Sequence, residues 1–486
     1  MSVNTVPTKN GSRRIAIEPV TRVEGHGKVT LLLDETNRVE QARLHIVEFR
    51  GFERFIQGRP YWEVPVIVQR LCGICPVSHH LAAAKAMDWR VGGEKLTPTA
   101  EKMRRLMHYG QMFQSHALHF FHLVSPDLLF GFDADPKIRN VLGVAAKFPD
   151  LAVQAVMMRK FGQETIRVTA GKKIHGTGAI PGGINKNLTI AERDFLLKDM
   201  DQMMEWSRGA LKIAKDYTVE HLATLADFGS FESNHLSLIR SDGAMDLYDG
   251  GLRAIDASGS KIFDHVDTRE YTEYIAEEVR PWSYMKFPFI RSLGPETGWY
   301  RVGPLARLNT CDFIDTPEAE DARREFMAVT DGKPNNITMA YHWARMIELL
   351  HSGEKIQELL DDPDLQGTDL VVSGERREEV VGMIEAPRGT LMHHYRINEL
   401  DQVVMANLIV STTHNNEPMN RAVARVADDH LSGKPEITEG LLNHIEVAIR
   451  AYDPCLSCAT HAMGQMPLVV DLVDADGTVL ATRVKE

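Results

Sequence analysis

Four of the five cysteines in this 486-residue chain fall into two Cys-x-x-Cys pairs. One lies in Arg70-Leu-Cys72-Gly-Ile-Cys75-Pro-Val-Ser-His79, the other in Asp453-Pro-Cys455-Leu-Ser-Cys458-Ala-Thr-His461. Each pair is followed shortly by a histidine. In so cysteine-poor a chain, two such pairs point to metal ligation rather than to chance. Thiolates are soft ligands, so the four sulfurs read as one metal site, closed by bringing the two ends of the chain together. A four-Cys structural zinc, an iron–sulfur cluster and a catalytic redox centre all use such ligands. Zinc ribbons place their pairs tens of residues apart, whereas these lie near opposite ends of the chain. Arg70, His79, Asp453 and His461 flank the pairs with acid–base groups that a structural zinc does not need. Cys311 alone is left over, so no relay of clusters can be built from the cysteines of this chain. Electrons released at a redox site must leave through a partner.

The elements around the pairs follow from local patterns. Val29–Leu33 and Val39–Val47 are β-rich, with a turn at Glu35-Thr-Asn37. Glu24-Gly25-His26-Gly27 reads as a turn. Trp62–Leu71 reads as a helix, and Ser78–Trp89 as a second helix capped by Ser78. Its free N–H groups would face the thiolates just before it and help to keep them ionised. Thr97-Pro98 opens a long helix. Met103, Leu106, Gly110, Phe113, Ala117, Phe120 and Val124 form its apolar stripe, which ends before Pro126. His108, His116, His119 and His122 lie along it and read as packing groups. Residues 171–187 are loop-like. Thr189 and Glu192 form a capping box that opens a helix to about Ala223. Residues 229–310 are mixed in pattern. Asn335–Leu360 contains a helix ended by Asp362-Pro363, Val380–Val410 alternates short strands with loops, and Ile437–Ala451 is helical. In the tail, Leu468–Val473 and Thr478–Thr482 flank Asp476-Gly477 as a hairpin.

Composition narrows the function further. A net charge of -12 and a pI near 5.9 argue against nucleic acid or an anionic membrane as the main partner. No apolar run reaches membrane-spanning length, so no membrane insertion is expected. Arg13-Arg14 is followed only by Ile15-Ala16-Ile17 before Glu18, which is no export h-region, and the cytoplasm is the expected compartment. Neither a dinucleotide nor a P-loop glycine motif occurs.

Both cysteine motifs resemble the signature motifs of nickel–iron hydrogenase large subunits. Three further segments resemble that family in the same order: Pro19-Val-Thr-Arg22-Val-Glu24-Gly25-His26, the helical stretch from Ser115-His116 to Asp127, and Ala386-Pro387-Arg388-Gly389. The likeness runs from residue 18 to residue 461. Val47-Glu48-Phe49-Arg50-Gly51-Phe52-Glu53-Arg54 and Pro76-Val-Ser-His79-His80 favour the soluble NAD-reducing type. Pro76 stands where the family often has Thr, and His414 where Trp is frequent.

The resemblance implies an α+β fold, predominantly helical, with a central bundle of long helices and smaller β regions toward both ends. It implies reversible heterolytic splitting of dihydrogen at a nickel–iron centre. Cys72, Cys75, Cys455 and Cys458 would hold nickel, with Cys75 and Cys458 bridging to an iron that carries carbon monoxide and cyanide. Cys455 would accept a proton and pass it to Glu24. Arg388 would stand over the open site near Asp127 and Asp453. Pro387, Arg388 and Thr412 would surround the cyanides, and His79 would tune a bridging thiolate. Glu53, the Leu408 carbonyl and His461 would match a magnesium site. A flavin- and NAD-binding diaphorase module, together with an iron–sulfur small subunit, would carry the FMN, NAD and iron–sulfur clusters. Residues 1–13 read as a flexible N-terminus and 14–461 as one large-subunit domain. Residues 462–486 resemble the extension that an endopeptidase removes, with a maturation chaperone as a further partner. A respiratory-complex subunit of the same ancestry, without catalysis, is the alternative implied by ancestry; a zinc scaffold is the alternative from ligand chemistry.

Overall fold

The architecture is built on four long helices, Pro98–Leu118, Pro149–Ala170, Ile190–Glu220 and Tyr341–Leu360, which pack on one another. The computed structural model describes residues 6–7, 13–460, 468–473 and 479–485. The expected apolar stripe from Met103 to Val124 is buried along its length. Where the Pro98–Leu118 and Pro149–Ala170 helices cross, Gly110 meets Gly162. A Cβ on Gly162 would lie 2.6 Å from both the Gly110 carbonyl oxygen and Gln114 Cβ, so glycine sets how near these two backbones come.

Smaller sheets flank the bundle, so the fold is predominantly helical α+β. Arg13–Ile17, Gly27–Leu33 and Val39–Ile46 form consecutive antiparallel strands, with the expected turn at Asn37. Glu379–Ala386, Gly389–Ile397 and Val403–Ile409 form a second antiparallel sheet. Ala386 pairs with Gly389, which leaves Pro387-Arg388 as a two-residue hairpin loop. The Thr189–Glu192 capping box is present and opens the Ile190–Glu220 helix. In the tail, Leu468–Val473 pairs with Val479–Lys485. The Asp476-Gly477 turn and nearly all of 1–13 lie outside the described residues.

Several elements differ from the local reading. Trp62–Leu71 is not one helix but a 3-10 turn, an α turn around Pro65 and a second 3-10 turn. The helix after the first cysteine pair starts at Pro76, not at a Ser78 cap; proline suits the first helical position because the N–H it lacks has no partner there. The long helix does not stop before Pro126. It passes through a π-helical stretch, His119–Val124, and continues as Ser125–Phe130. Pro126 falls in the first turn after the π stretch, where it interrupts no helical hydrogen bond. Residues 229–310 hold a sheet in which Tyr300–Arg301 runs parallel beside Asn234–Ile239, followed by Gly251–Ile255 and Lys261–Val266. A partner strand more than sixty residues away leaves no trace in a local pattern.

Asp127 ties the two ends of the chain to this bundle. Its carboxylate accepts from Arg22 (2.6 Å), Arg450 (3.0 Å) and Asn443 (3.3 Å). Burial raises the Asp127 pKa, but the two guanidiniums outweigh it and hold the carboxyl below its ordinary value. Replacing Asp127 with alanine leaves two arginine charges facing each other and is expected to cost about 3 kcal/mol. Thermal unfolding should show a lowered midpoint for Asp127→Ala; an unchanged midpoint would contradict the anchoring role.

Candidate metal centre

The four paired cysteines come together as the spacing requires. Their sulfurs all lie within 4.8 Å of one another, and all four residues are buried and free of disulfides. Cys455 Sγ is 3.3 Å from Cys72 Sγ and 2.7 Å from Cys458 Sγ, and Cys75 Sγ is 3.8 Å from Cys458 Sγ. The first pair is held by the Pro98–Leu118 helix, whose Gln111 and Gln114 side chains both donate to the Ile74 carbonyl (2.9 and 2.8 Å). His175 meets the Cys72 carbonyl at 3.2 Å. The expected N–H groups do reach a sulfur, but from Ile74 and Cys75 in the loop, at 3.1 and 3.4 Å from Cys72 Sγ, and not from the helix after it.

The second pair is held by the N-terminal segment. Glu24 forms a parallel bridge with Cys455, and the Leu456 N–H donates to the Glu24 carbonyl at 2.9 Å. Its side chain accepts from the Cys455 thiol at 3.0 Å and from the Ser457 N–H at 3.1 Å. Gly25 is therefore more than a turn residue. Its φ is +82°, and a Cβ there would lie 2.6 Å from the Ser457 nitrogen. Asp453 and Arg22, on either side of this junction, also adopt positive φ (54° and 56°), a costly conformation that residues at functional sites often keep.

Electrostatics divide the thiols. Hydrogen bonds from Cys455 and Cys458 hold Cys72 well below the usual thiol value and Cys75 at about 6. Burial pushes Cys455 and Cys458 well above it. Four buried thiols ionise together only around a cation, so this donor set fits a soft or borderline metal.

Beside the sulfurs lies a small cavity of about 10 Å³, with Cys75, Cys455, His79, Pro387, Arg388 and Thr412 in its wall. Four of the residues expected around the metals' ligands thus share one chamber. A structural zinc site is closed on all sides and needs no such chamber. Arg388 donates to the Asp453 carbonyl oxygen (2.6 Å), to its Oδ1 (3.0 Å) and to Ser115 Oγ (3.4 Å). Burial pulls the Arg388 pKa down, but Asp453 and the cysteines more than offset it, so the guanidinium stays charged. Asp127 does not join it: that carboxylate is taken up by Arg22 and Arg450, and Ser115 stands beside Arg388 instead. Thr412 Oγ1 accepts the Cys455 N–H at 2.9 Å, which leaves its own hydrogen free to donate. His79 Nδ1 pairs with His393 Nε2 (3.2 Å), and His393 Nδ1 with the Tyr395 hydroxyl (2.6 Å), a buried chain that orients the imidazole. Neither partner belongs to a motif, and only the alternation of the Gly389–Ile397 strand hints that both point inward.

The helix histidines behave mainly as packing groups. His108 pairs with the Leu247 carbonyl (2.9 Å) and His116 with Glu348 (3.0 Å), and burial pushes both down to about 4. His119 bonds the Arg450 carbonyl (2.7 Å), with Asp453 at 3.9 Å. His414 bonds the Tyr300 hydroxyl at 2.6 Å.

Glu53 and Leu408 meet, since Glu53 accepts the Leu408 N–H at 2.8 Å. The same carboxylate oxygen also carries the Lys286 ammonium at 3.1 Å, and that ammonium reaches Asn407 (2.9 Å) and Glu277 (3.5 Å). The charge of Glu53 is thus met by the chain itself, and this arrangement does not fit a divalent ion unless Lys286 withdraws. His461 lies outside the described residues.

The chain has clear relatives among known proteins. A family described as nickel-dependent hydrogenase matches residues 50–136 and 226–461, and one described as HoxL-like matches 14–49. The chain is 50% identical to the beta chain of the NAD-reducing hydrogenase HoxS of Cupriavidus necator, over 98% of this chain and all of that one. It is 44% identical to a chain of the F420-non-reducing hydrogenase vhc of Methanococcus voltae, over 94% of this chain and 97% of that one. A crystal structure of an NAD+-reducing [NiFe]-hydrogenase in the H2-reduced state superposes with a TM-score of 0.91 at 56% identity, covering 94% of this chain and all of that one.

Replacing Gly25 with alanine should push the Glu24 strand off Ser457 and open the sulfur cage. Elemental analysis of the purified variant is expected to show a marked loss of bound metal per chain; full occupancy would contradict the junction's role.

Proposed function

The chain belongs to the nickel-dependent hydrogenase family, and on that premise we propose that it is the catalytic subunit of an NAD-reducing enzyme that splits dihydrogen reversibly into protons and electrons. The observation that carries the reading is the Glu24 carboxylate, 3.0 Å from a cage sulfur that also faces a closed chamber beneath Arg388. Cys72, Cys75, Cys455 and Cys458 would hold a nickel–iron pair. When bound, that pair supplies the Lewis acidity and redox capacity for heterolytic cleavage, with carbon monoxide and cyanide completing the iron.

The residues of the chain handle the proton and the electrostatics. Cys455 takes the proton, and Glu24 receives it across the existing hydrogen bond. The Ser457 N–H holds the Glu24 carboxylate in line. Arg388, fixed by Asp453, presents positive charge to the chamber. Pro387, Arg388 and Thr412 would surround the cyanides, and His79, held by its His393–Tyr395 support, would tune a bridging thiolate. Glu53, the Leu408 carbonyl and His461 would hold magnesium. Glu53 lies beside the Leu408 backbone but meets its N–H, and the Lys286 ammonium on the same carboxylate oxygen opposes a divalent ion. Magnesium analysis after dialysis against a chelator decides between ion and ammonium.

Electrons leave through other chains. Cys311 is buried, its thiol pushed up by burial, and among the described residues no other cysteine cluster stands ready to relay charge. A diaphorase module carrying FMN and NAD, with a small iron–sulfur subunit between it and this chain, fits the NAD-reducing, multi-chain names of the relatives. Among the described residues no helix is long and apolar enough to cross a membrane, and we place the enzyme in the cytoplasm. Residues 462–486 are read as a maturation extension, released by an endopeptidase after a chaperone has assisted metal insertion. The family match ending at residue 461 supports this.

Three measurements test the reading. Nickel and iron in near-equal amounts, with infrared bands of bound carbon monoxide and cyanide, are expected; zinc alone would end it in favour of a scaffold. Glu24→Gln should lower dihydrogen oxidation by about 10²–10⁴-fold with metal content retained. Intact-mass analysis of active enzyme should end the chain at His461, and active full-length protein would contradict processing.

A further inference from the structure

Ser78 presents a buried hydroxyl that the chain itself leaves unused. It is the third residue of the Pro76–Arg90 helix, 0% exposed, and its Oγ has no hydrogen-bond partner. Buried serine and threonine hydroxyls in helices ordinarily donate to the carbonyl four residues back. Thr165, Ser207, Thr218 and Ser352 all do so in this protein, at 3.1, 2.7, 2.8 and 2.7 Å. For Ser78 that carbonyl belongs to Ile74 and is already occupied by Gln111 and Gln114. The packing that fixes the first cysteine pair therefore turns the Ser78 hydroxyl away from its own helix.

The hydroxyl has one place to go. Ser78 lines the closed chamber beside Cys75, with Pro387, Leu391 and Val410 contributing apolar wall. Among the described residues the only other buried hydroxyl without a partner is that of Thr413, which is not part of this wall. Thr412, also in the wall, spends its acceptor on the Cys455 N–H and keeps a donor. The wall thus holds two hydroxyls with a hydrogen to give, Ser78 and Thr412, and the Arg388 guanidinium, beside His79, the two cysteines, an occupied Ser411 hydroxyl and apolar groups. Such a lining suits a small, linear, electron-rich acceptor. A buried donor left without one is costly.

We propose that Ser78 donates a hydrogen bond to a diatomic ligand, cyanide or carbon monoxide, on the iron held beside Cys75. The inference rests on the nickel–iron reading above. Ser78 is then a contact residue of the metal's ligand sphere, not a helix cap. Drawing electron density toward that ligand, it tunes the charge carried by the metals without ligating them.

Infrared spectra of the purified holoenzyme test this. In Ser78→Ala one cyanide or monoxide band should be displaced while nickel and iron per chain stay at the parent level. Ser78→Thr, which keeps the hydroxyl, should return the band toward its parent position. In D2O the band displaced in Ser78→Ala should move slightly in the parent, and that band alone should lose the sensitivity in Ser78→Ala, while bands bonded by Arg388 or Thr412 keep theirs. A Ser78→Ala spectrum that superposes on the parent's overturns the inference and leaves the hydrogenase reading intact. A parent without such bands overturns that reading itself. Should Ser78→Ala fail to take up metal, Ser78→Cys, a weaker donor of similar size, takes its place, and a Ser78→Cys spectrum that superposes on the parent's overturns the inference.

Discussion

The structure depends on one junction, the bridge between Glu24 and Cys455 near the two ends of the chain. Backbone pairing brings the Glu24 carbonyl to the Leu456 N–H, and the same strand direction delivers its carboxylate to the Cys455 sulfur. The sulfur cage and the carboxylate beside it are therefore one structural event. Neither pair of cysteines can form a four-sulfur site alone, so the cage reports on the whole fold. The buried ion-pair group around Asp127, with Arg22 on one side of the junction and Arg450 on the other, makes that closure specific in angle as well as in distance. Breaking such a group is costly because it strands charge in the interior.

A second clamp acts on the loop that carries Arg388. Arg307, fully buried, donates to both oxygens of Glu348 (2.6 Å each) and to Glu385 (2.7 Å). It also reaches the carbonyls of Ala386 (3.0 Å) and Pro387 (3.3 Å). Burial alone would raise the Glu348 pKa, but Arg307 overrides it and brings the carboxyl down to about 2. The loop that carries Arg388 is thus gripped through its backbone by Arg307 and through its side chain by Asp453. A two-residue hairpin is a compact mount for a cation over a metal site, because it leaves few dihedrals to reorganise.

Much of this was legible in the chain. The cysteine pairs announced a metal site. The capping box at Thr189, the apolar stripe from Met103 and the alternation after Val380 each mapped onto a real element. What misled was local reasoning at places where distant groups intervene. Ser78 looked like a cap because a serine before an apolar run usually is one, yet Pro76 had already started the helix. Asp127 looked like a neighbour of Arg388 by its place in a motif, but two arginines from the chain ends claim it. The π-helical turn at His119–Val124 carries no propensity signal, and the parallel strand at Tyr300 none within its own window.

By itself the sequence determined the ligand chemistry, the helical periodicity and the caps, because these depend on residue type and on spacing along a few covalent bonds. Tertiary structure alone decided that Glu24 meets Cys455, that Ser115 and Asp453 hold Arg388, that Lys286 answers Glu53, and that Ser78 faces the chamber. Those pairings join residues that are mostly far apart in the chain, and they are set by how helices and sheets stack. A donor's partner in the interior is whichever acceptor packing leaves free, and that choice is written nowhere in local pattern.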